Sequence, residues 1–180
     1  INAKGHLKIG GYDLADLVSE FGSPLYIYEE NTIRNISKSY IKEFGSRYKN
    51  VHVSYSSKAF SNPELVKILN EEGLGIDVVS GGELEVLLRS EFNMNKVNFH
   101  GNNKSKDELI KAVSNKIGLI TVDSFYELDL LNEICSELDT KQNITLRLSP
   151  SVDPHTHELP STAILDTKFG FSIETGAAKE

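Results

Sequence analysis

Lys58 stands near the end of VHVSYSSKAF, residues 51–60, a stretch with the alternation of a β-strand. Val51, Val53 and Tyr55 share one parity; His52, Ser54, Ser56 and Lys58 share the other. Successive strand side chains point to opposite faces, so one face is apolar and the other is polar and ends in an amine. An amine held at the end of a buried strand is costly unless it is paired, neutralised or bonded. Lysines held in this way are the ones that form Schiff bases with carbonyl compounds. Three more groups stand at the C-terminal ends of predicted strands: Asp77 in GIDVVS, His100 in VNFHG and Asp123 in LITVDS. Singly, each has an ordinary explanation, as a lysine reaching solvent, an aspartate capping the next helix or a satisfied core histidine. Four in one register point to a site.

The elements that must position them alternate along the chain. Residues 1–27 predict short strands with a Gly-Gly turn, a polar helix stopped at Gly22, and a strand in SPLYIYEE. Residues 31–48 place Ile33, Ile36, Tyr40, Ile41 and Phe44 at helical spacing. After the Lys58 strand comes NPELVKILNEEG, a helix with Asn62 as N-cap and Pro63 in its first turn. GIDVVS, VNFHG, GLITVDS and NITLRLSP then predict strands, separated by helices in GGELEVLLRSEF, SKDELIKAVSNK and FYELDLLNEICSEL. Ser105 and Glu108 have capping-box spacing. Five strands separated by four helices predict an α/β fold with a parallel sheet and right-handed crossovers.

An open doubly wound sheet and a (β/α) barrel both fit that order. No G-x-G-x-x-G follows the first strand, and no P-loop pattern occurs. Asp77, Asn98 and His100, Thr121 and Asp123, and Thr145, Arg147 and Ser149 all oppose apolar neighbours, so each strand has one apolar and one polar face. Polar groups gathered at strand ends are what an active site in a barrel mouth requires. The parities favour the barrel.

With 39% hydrophobic and 25% charged residues among 180, the chain has the composition of a soluble domain with its own core. A net charge of −7 argues against nucleic acid and anionic membrane as partners. No apolar run is long enough to span a bilayer, no signal-peptide pattern opens the chain, and no metal site is expected. Cys135 is the single cysteine, which excludes an internal disulfide and makes the cytoplasm the default location. Its place in LDLLNEICSEL predicts a core thiol.

Several segments resemble a known family. YSSKAF (55–60) resembles the pyridoxal-phosphate lysine motif of the alanine-racemase-like, fold type III enzymes. GLGIDVVSGGELE (73–85) resembles the segment that follows it in their decarboxylase branch. FHGNNKS (99–105), RLSPSVDPHTH (147–157) and DTKFGFSI (166–173) are similar to the diaminopimelate decarboxylase family. The ordered set covers nearly the whole chain. Ser56 stands where that family more often has Ala or Pro, and Ala163 where Gly is usual. The resemblance implies pyridoxal 5′-phosphate as cofactor, held by Lys58 as a Schiff base. It implies that Asp77 and Glu83 lie near the cofactor and its supporting shell, with Arg147 on the barrel-interior face. His155, His157 and Lys168 would border the site on a substrate loop. His100 lies in a family motif and is counted with the cofactor-binding residues, but it is not matched to the histidine that stacks on the cofactor ring, which comes from a later strand.

The resemblance further implies a carboxy-lyase converting meso-2,6-diaminopimelate to L-lysine and carbon dioxide, the last step of lysine biosynthesis. It implies a homodimer with shared active sites. Ornithine- or arginine-type decarboxylases and alanine-type racemases are the alternatives within the enzymes; the HTH and KFGF segments favour diaminopimelate. A non-catalytic pyridoxal-phosphate homeostasis protein would lack the strands at the N-terminus, and a purely structural barrel would lack the polar interior. A full barrel of this kind takes about 250 residues. The expectation is therefore the N-terminal part of an alanine-racemase-type (β/α)8 barrel: residues 1–27 belonging partly to a β-domain, residues 28–180 forming a partial cofactor-binding barrel. The phosphate loop would lie beyond it, and the isolated piece would be inactive.

Overall fold

In a computed structural model the protein is described over residues 1–150 and 169–180. The chain opens with a two-stranded antiparallel ribbon, β1 (Lys8–Ile9) and β2 (Tyr12–Asp13), turned at Gly10 and Gly11. Helix α1 (Leu14–Phe21) follows, with the Asp13 carboxylate accepting from the Ala15 amide. It stops at Gly22, whose φ of 86° is open to glycine at little cost. Helix α2 (Glu30–Gly45) is capped by Glu29. Residues 24–29, expected as a strand, pair with no strand among the described residues. Leu25, Tyr26, Ile27 and Tyr28 remain exposed, and the Tyr28 ring stacks on Phe60 at 4.4 Å.

Five parallel strands carry the rest: β3 (Ser54–Ser56), β4 (Gly75–Val78), β5 (Val97–Phe99), β6 (Leu119–Val122) and β7 (Ile144–Leu146). They lie side by side in chain order. Between them run α3 (Pro63–Glu71), α4 (Gly81–Arg89), α5 (Lys106–Ser114) and α6 (Phe125–Glu137). A doubly wound sheet reverses its order at a switch point; a sheet that never reverses winds one way, as a barrel does. The expected caps are present: Asn62 accepts from Leu65, and Ser105 and Glu108 form the reciprocal box. Two strands are shorter than expected. The Lys58 strand pairs only over Ser54–Ser56, and NITLRLSP breaks at Arg147. Beyond that break β8 (Leu148–Ser149) pairs with β9 (Phe171–Ser172) in a separate parallel pair.

The core lies on one face of the sheet. Ile76, Val78, Val97, Phe99, Ile120 and Val122 point into the helix layer and are essentially inaccessible. They meet Val66, Leu84, Leu87, Leu109, Leu131 and Ile134. Each such side chain contributes about 1.5–3 kcal/mol on burial, so this face dominates stability. The opposite face carries Ser56, Asp77, Asn98, Thr121 and Thr145. Thr121 Oγ1 donates to Asn98 Oδ1 at 3.0 Å and lies 3.0 Å from Thr145 Oγ1, so these hydroxyls and amides satisfy one another across strands.

On the outside, Arg34 of α2 forks to Glu30, Glu71 and Glu72, tying α2 to the end of α3. Glu85 of α4 meets Lys111 of α5 at 2.7 Å and Arg89 at 2.8 Å. The Lys111 and then the Arg89 contacts push its carboxyl down to about 2.

Two substitutions test the packing. A Cβ on Gly118, just before β6, would collide with the Asn95 carbonyl oxygen, which is backbone and cannot yield. Gly118→Ala should cost about 1–3 kcal/mol in urea unfolding. Gly45→Ala, where nothing lies within 4 Å, should be neutral or stabilise by about 0.5–1 kcal/mol. A third test concerns pH. A carboxyl depressed by folding adds stability above its ordinary value and loses it as pH falls through the folded value. Urea midpoints of wild type and Glu85→Gln should therefore differ at pH 6 and converge between 4.5 and about 2.

Candidate active site

At the C-terminal ends of the parallel strands lies a cleft of about 600 Å³. That volume is in the range of small-molecule sites. Its lining includes Ser56, Lys58, Asp77, His100, Arg147 and Phe169. Four of the residues singled out by type and spacing are thus brought to one place from β3, β4, β5 and β7.

Lys58 sits in the turn that ends β3, where the Ala59 amide donates to the Ser56 carbonyl at 3.2 Å. The turn is held from beneath. Ser57 is buried; its amide donates to the Asp77 carbonyl at 3.0 Å, and its hydroxyl reaches that carbonyl at 2.8 Å and Glu83 Oε2 at 2.5 Å. Glu83 Oε2 also accepts from the Val79 amide at 2.7 Å. Glu83 therefore clamps the ends of β3 and β4 together and does not line the cleft. With its neighbours so fixed, Lys58 projects into the cleft, and among the described residues its amine has no ion-pair or hydrogen-bond partner. An unpaired amine on an anchored turn is free to react with an aldehyde.

Asp77 lies on the polar face of β4, half-buried. His100 Nε2 is 3.9 Å from its carboxylate, a through-space attraction and too long for a hydrogen bond. The imidazole is instead bonded to Asn98, whose Nδ2 lies 2.7 Å from Nε2. An amide nitrogen can only donate, so Nε2 accepts and the ring proton sits on Nδ1. Burial pushes the His100 pKa below its ordinary value, opposed by Asp77 and assisted by Arg147 and Lys104.

Arg147 occupies the break between β7 and β8. Its amide donates to the Val122 carbonyl at 2.9 Å and its carbonyl accepts from Phe171 at 2.8 Å. Its guanidinium bonds Asp123 Oδ1 at 3.2 Å and stacks over the Phe169 ring at 4.2 Å. Asp123 does not line the cleft. It is buried, with its second oxygen accepting from the Gly170 amide at 3.0 Å, and it serves to hold Arg147. His155, His157 and Lys168 lie outside the described residues. No group of three metal-ligating side chains occurs among the described residues.

Four supporting residues carry no clear mark in the sequence. Ser57 is an ordinary turn serine and Asn98 an ordinary polar strand residue. Lys104, in the loop after β5, and Glu127, in the first turn of α6, form a buried pair at 2.7 Å. A polar residue three places after an N-cap fits the pattern of any solvated helix start; only the packing of α6 on the loop after β5 buries it.

Comparison with known proteins matches residues 31–180 to the pyridoxal binding domain of pyridoxal-dependent decarboxylases. The chain is 45% identical over its whole length to diaminopimelate decarboxylase of Bacillus methanolicus, spanning 42% of that protein. It is 43% identical over 97% of its length to the Bacillus subtilis diaminopimelate decarboxylase, spanning 40% of it. A crystal structure of diaminopimelate decarboxylase from M. jannaschii with L-lysine superposes with a TM-score of 0.87 at 36% identity, covering 98% of this chain and 42% of that one. The chain thus spans less than half the length of these relatives.

The geometry of His100 has a direct check. Its imidazole should titrate below 6.5 by NMR, with Nδ1 protonated in the neutral form; a midpoint at or above 6.5 would contradict the burial and the Asn98 bond. Because the buried neutral ring takes up fewer protons than the unfolded one, its contribution to stability is present above 6.5 and fades as pH falls toward the folded value.

Proposed function

The chain belongs to the pyridoxal-dependent decarboxylases, and we propose that it contributes the Schiff-base lysine and one wall of the active site to an enzyme that decarboxylates meso-diaminopimelate to L-lysine. The observation that carries this is the convergence of Lys58, Asp77, His100 and Arg147 on one cleft at the strand ends. Its donor set fits pyridoxal phosphate: an unpaired amine for the aldehyde, with a carboxylate and a neutral imidazole beside it. The substrate assignment rests on the likeness to diaminopimelate decarboxylases and is a reading of the whole protein, of which this chain is a part.

When bound, pyridoxal phosphate supplies an electron sink for the pair left behind as a carboxylate departs as carbon dioxide. The protein's own groups do the rest. Lys58 holds and releases the cofactor and, in its free form, is an amine able to move a proton at the reacting carbon. The Ser57–Glu83 clamp keeps that amine at one height above the strand ends. Asp77 places a negative charge in the cleft. His100, neutral at physiological pH, offers Nδ1–H as a donor without adding positive charge. Arg147, pinned by Asp123 and Phe169, presents the rest of its guanidinium to a carboxylate, for which a planar fork is suited.

His155, His157 and Lys168 belong to this proposal as a loop bordering the substrate. Residues 1–27, which form their own ribbon and helix apart from the five-stranded sheet, are assigned in part to a second, β-rich domain. The working enzyme is proposed to be a cytoplasmic homodimer, as the resemblance to its family implies; among the described residues no helix is long and apolar enough to cross a membrane.

The test uses the full-length protein. Borohydride reduction should fix a pyridoxyl group on Lys58, and carbon dioxide should be released from meso-diaminopimelate far faster than from ornithine or arginine. Lys58→Ala should lose the label and reduce turnover by about three orders of magnitude or more. Label on another lysine would overturn the site assignment; equal turnover of ornithine would overturn the substrate.

A further inference from the structure

Lys104 is the most deeply buried cation among the described ion pairs, with its side chain 1% exposed, and the site geometry above gives it no role. Its amine spends all three protons. One goes to the Gly101 carbonyl at 2.7 Å, one to the Thr121 carbonyl at 2.8 Å and one to Glu127 Oε1 at 2.7 Å. Gly101 lines the cleft. The second oxygen of Glu127 accepts from the Asp123 amide at 3.1 Å, and the Asp123 carboxylate holds Arg147 and the Gly170 amide. One chain of bonds therefore runs from the interior to both the loop after β5 and the guanidinium in the cleft.

We propose that the buried Lys104–Glu127 pair is a positioning device for the cleft, setting the Gly101 loop directly and the Arg147 guanidinium through Asp123. This rests on the reading of the cleft as the pyridoxal-phosphate site. Stability alone is a poor reason for such a pair. Desolvating two charges offsets much of their attraction, and apolar residues of similar volume often fold as well. What apolar residues cannot do is aim three carbonyl or amide groups at once. With those bonds gone, the Gly101 carbonyl and the Asp123 amide lose their fixed partners, and Arg147 loses the rigid base of its own pairing. Lys104 is thereby also closed to the cofactor's aldehyde, whereas Lys58 projects into the cleft.

The experiment replaces both charges at once, K104M/E127L, in the full-length enzyme. The readouts are thermal unfolding of the apo form, the dissociation constant for pyridoxal phosphate and the visible circular dichroism of the bound cofactor. A surface control, K106M, removes the exposed 3.8 Å contact of Lys106 with Glu137. The paired variant should unfold within a few degrees of wild type, bind the cofactor about tenfold more weakly, as loss of an outer partner costs a metal ligand, and show a reduced dichroic band. K106M should change none of these. Combined with R147M, the paired change should lose affinity by clearly less than the product of the two separate factors, because part of its effect passes through Arg147. Should K104M/E127L fail to fold, K104M/E127Q carries the same measurements; it leaves neither charge unpaired, its amide oxygen still serves the Asp123 amide, and a smaller loss of the same sign is expected. Wild-type affinity and dichroism in the paired variant, or strict multiplicativity with R147M, would overturn the inference alone. A wild-type protein that takes up no pyridoxal phosphate would overturn the cofactor reading and the inference with it.

Discussion

A slip of one residue in the parallel register between β4 and β5 would turn Ile76 and Val78 toward the cleft and bury Asp77 among the helices. The register observed, Ile76 beside Val97 and Val78 beside Phe99, is the arrangement that keeps all four of those side chains in the apolar layer. Side chains in a strand alternate with period two, so each strand that hides its hydrophobes must also present its polar set. The cleft is the other side of the same constraint. Asp77, Asn98 and Thr121 face away from the core because their neighbours cannot, and the groups beyond the strand ends inherit that direction.

The polar side is expensive to maintain, and the molecule meets the cost with bonds that also position reactive groups. Glu83 satisfies the Val79 amide and the Ser57 hydroxyl, which holds the turn bearing Lys58. Asp123, buried, is neutralised by Arg147 and the Gly170 amide. Asn98 bridges Thr121 and His100, fixing the tautomer of the imidazole. An unpaired buried charge or amide costs several times what its bond returns. Each of these contacts is therefore enforced, and the side chains of the cleft acquire defined directions from groups that need partners for their own sake.

The outer surface works under looser rules. Glu85, Lys111 and Arg89, and the fork from Arg34, join helices that already pack through the core. Solvent screens such pairs, so they trim stability and hold little in place. On the exposed side of α2 the Tyr40 and Phe44 rings stack on each other at 6.2 Å, with Ile36 exposed on the same helix.

The sequence by itself determined the strand and helix order, the caps at Asn62 and Ser105, the polarity of each strand face and the place of Lys58 at the end of its strand. These follow from period, from local capping chemistry and from motif, all of which are short-range. It also placed Asp77, His100 and Arg147 on the right face. Where it overreached, distance along the chain misled it. Residues 24–29 alternate like a strand but find no strand beside them among the described residues, and NITLRLSP reads as one strand although Arg147 redirects its second half to β9. Glu83 and Asp123 were legible as acidic groups near the site, but their roles as clamps were not. The Lys104–Glu127 pair was invisible, because a lysine in a polar loop and a glutamate in a first helical turn ordinarily face water. Only the packing of α6 against the loop after β5, between residues 23 apart in the chain, removes that water and makes them each other's partner.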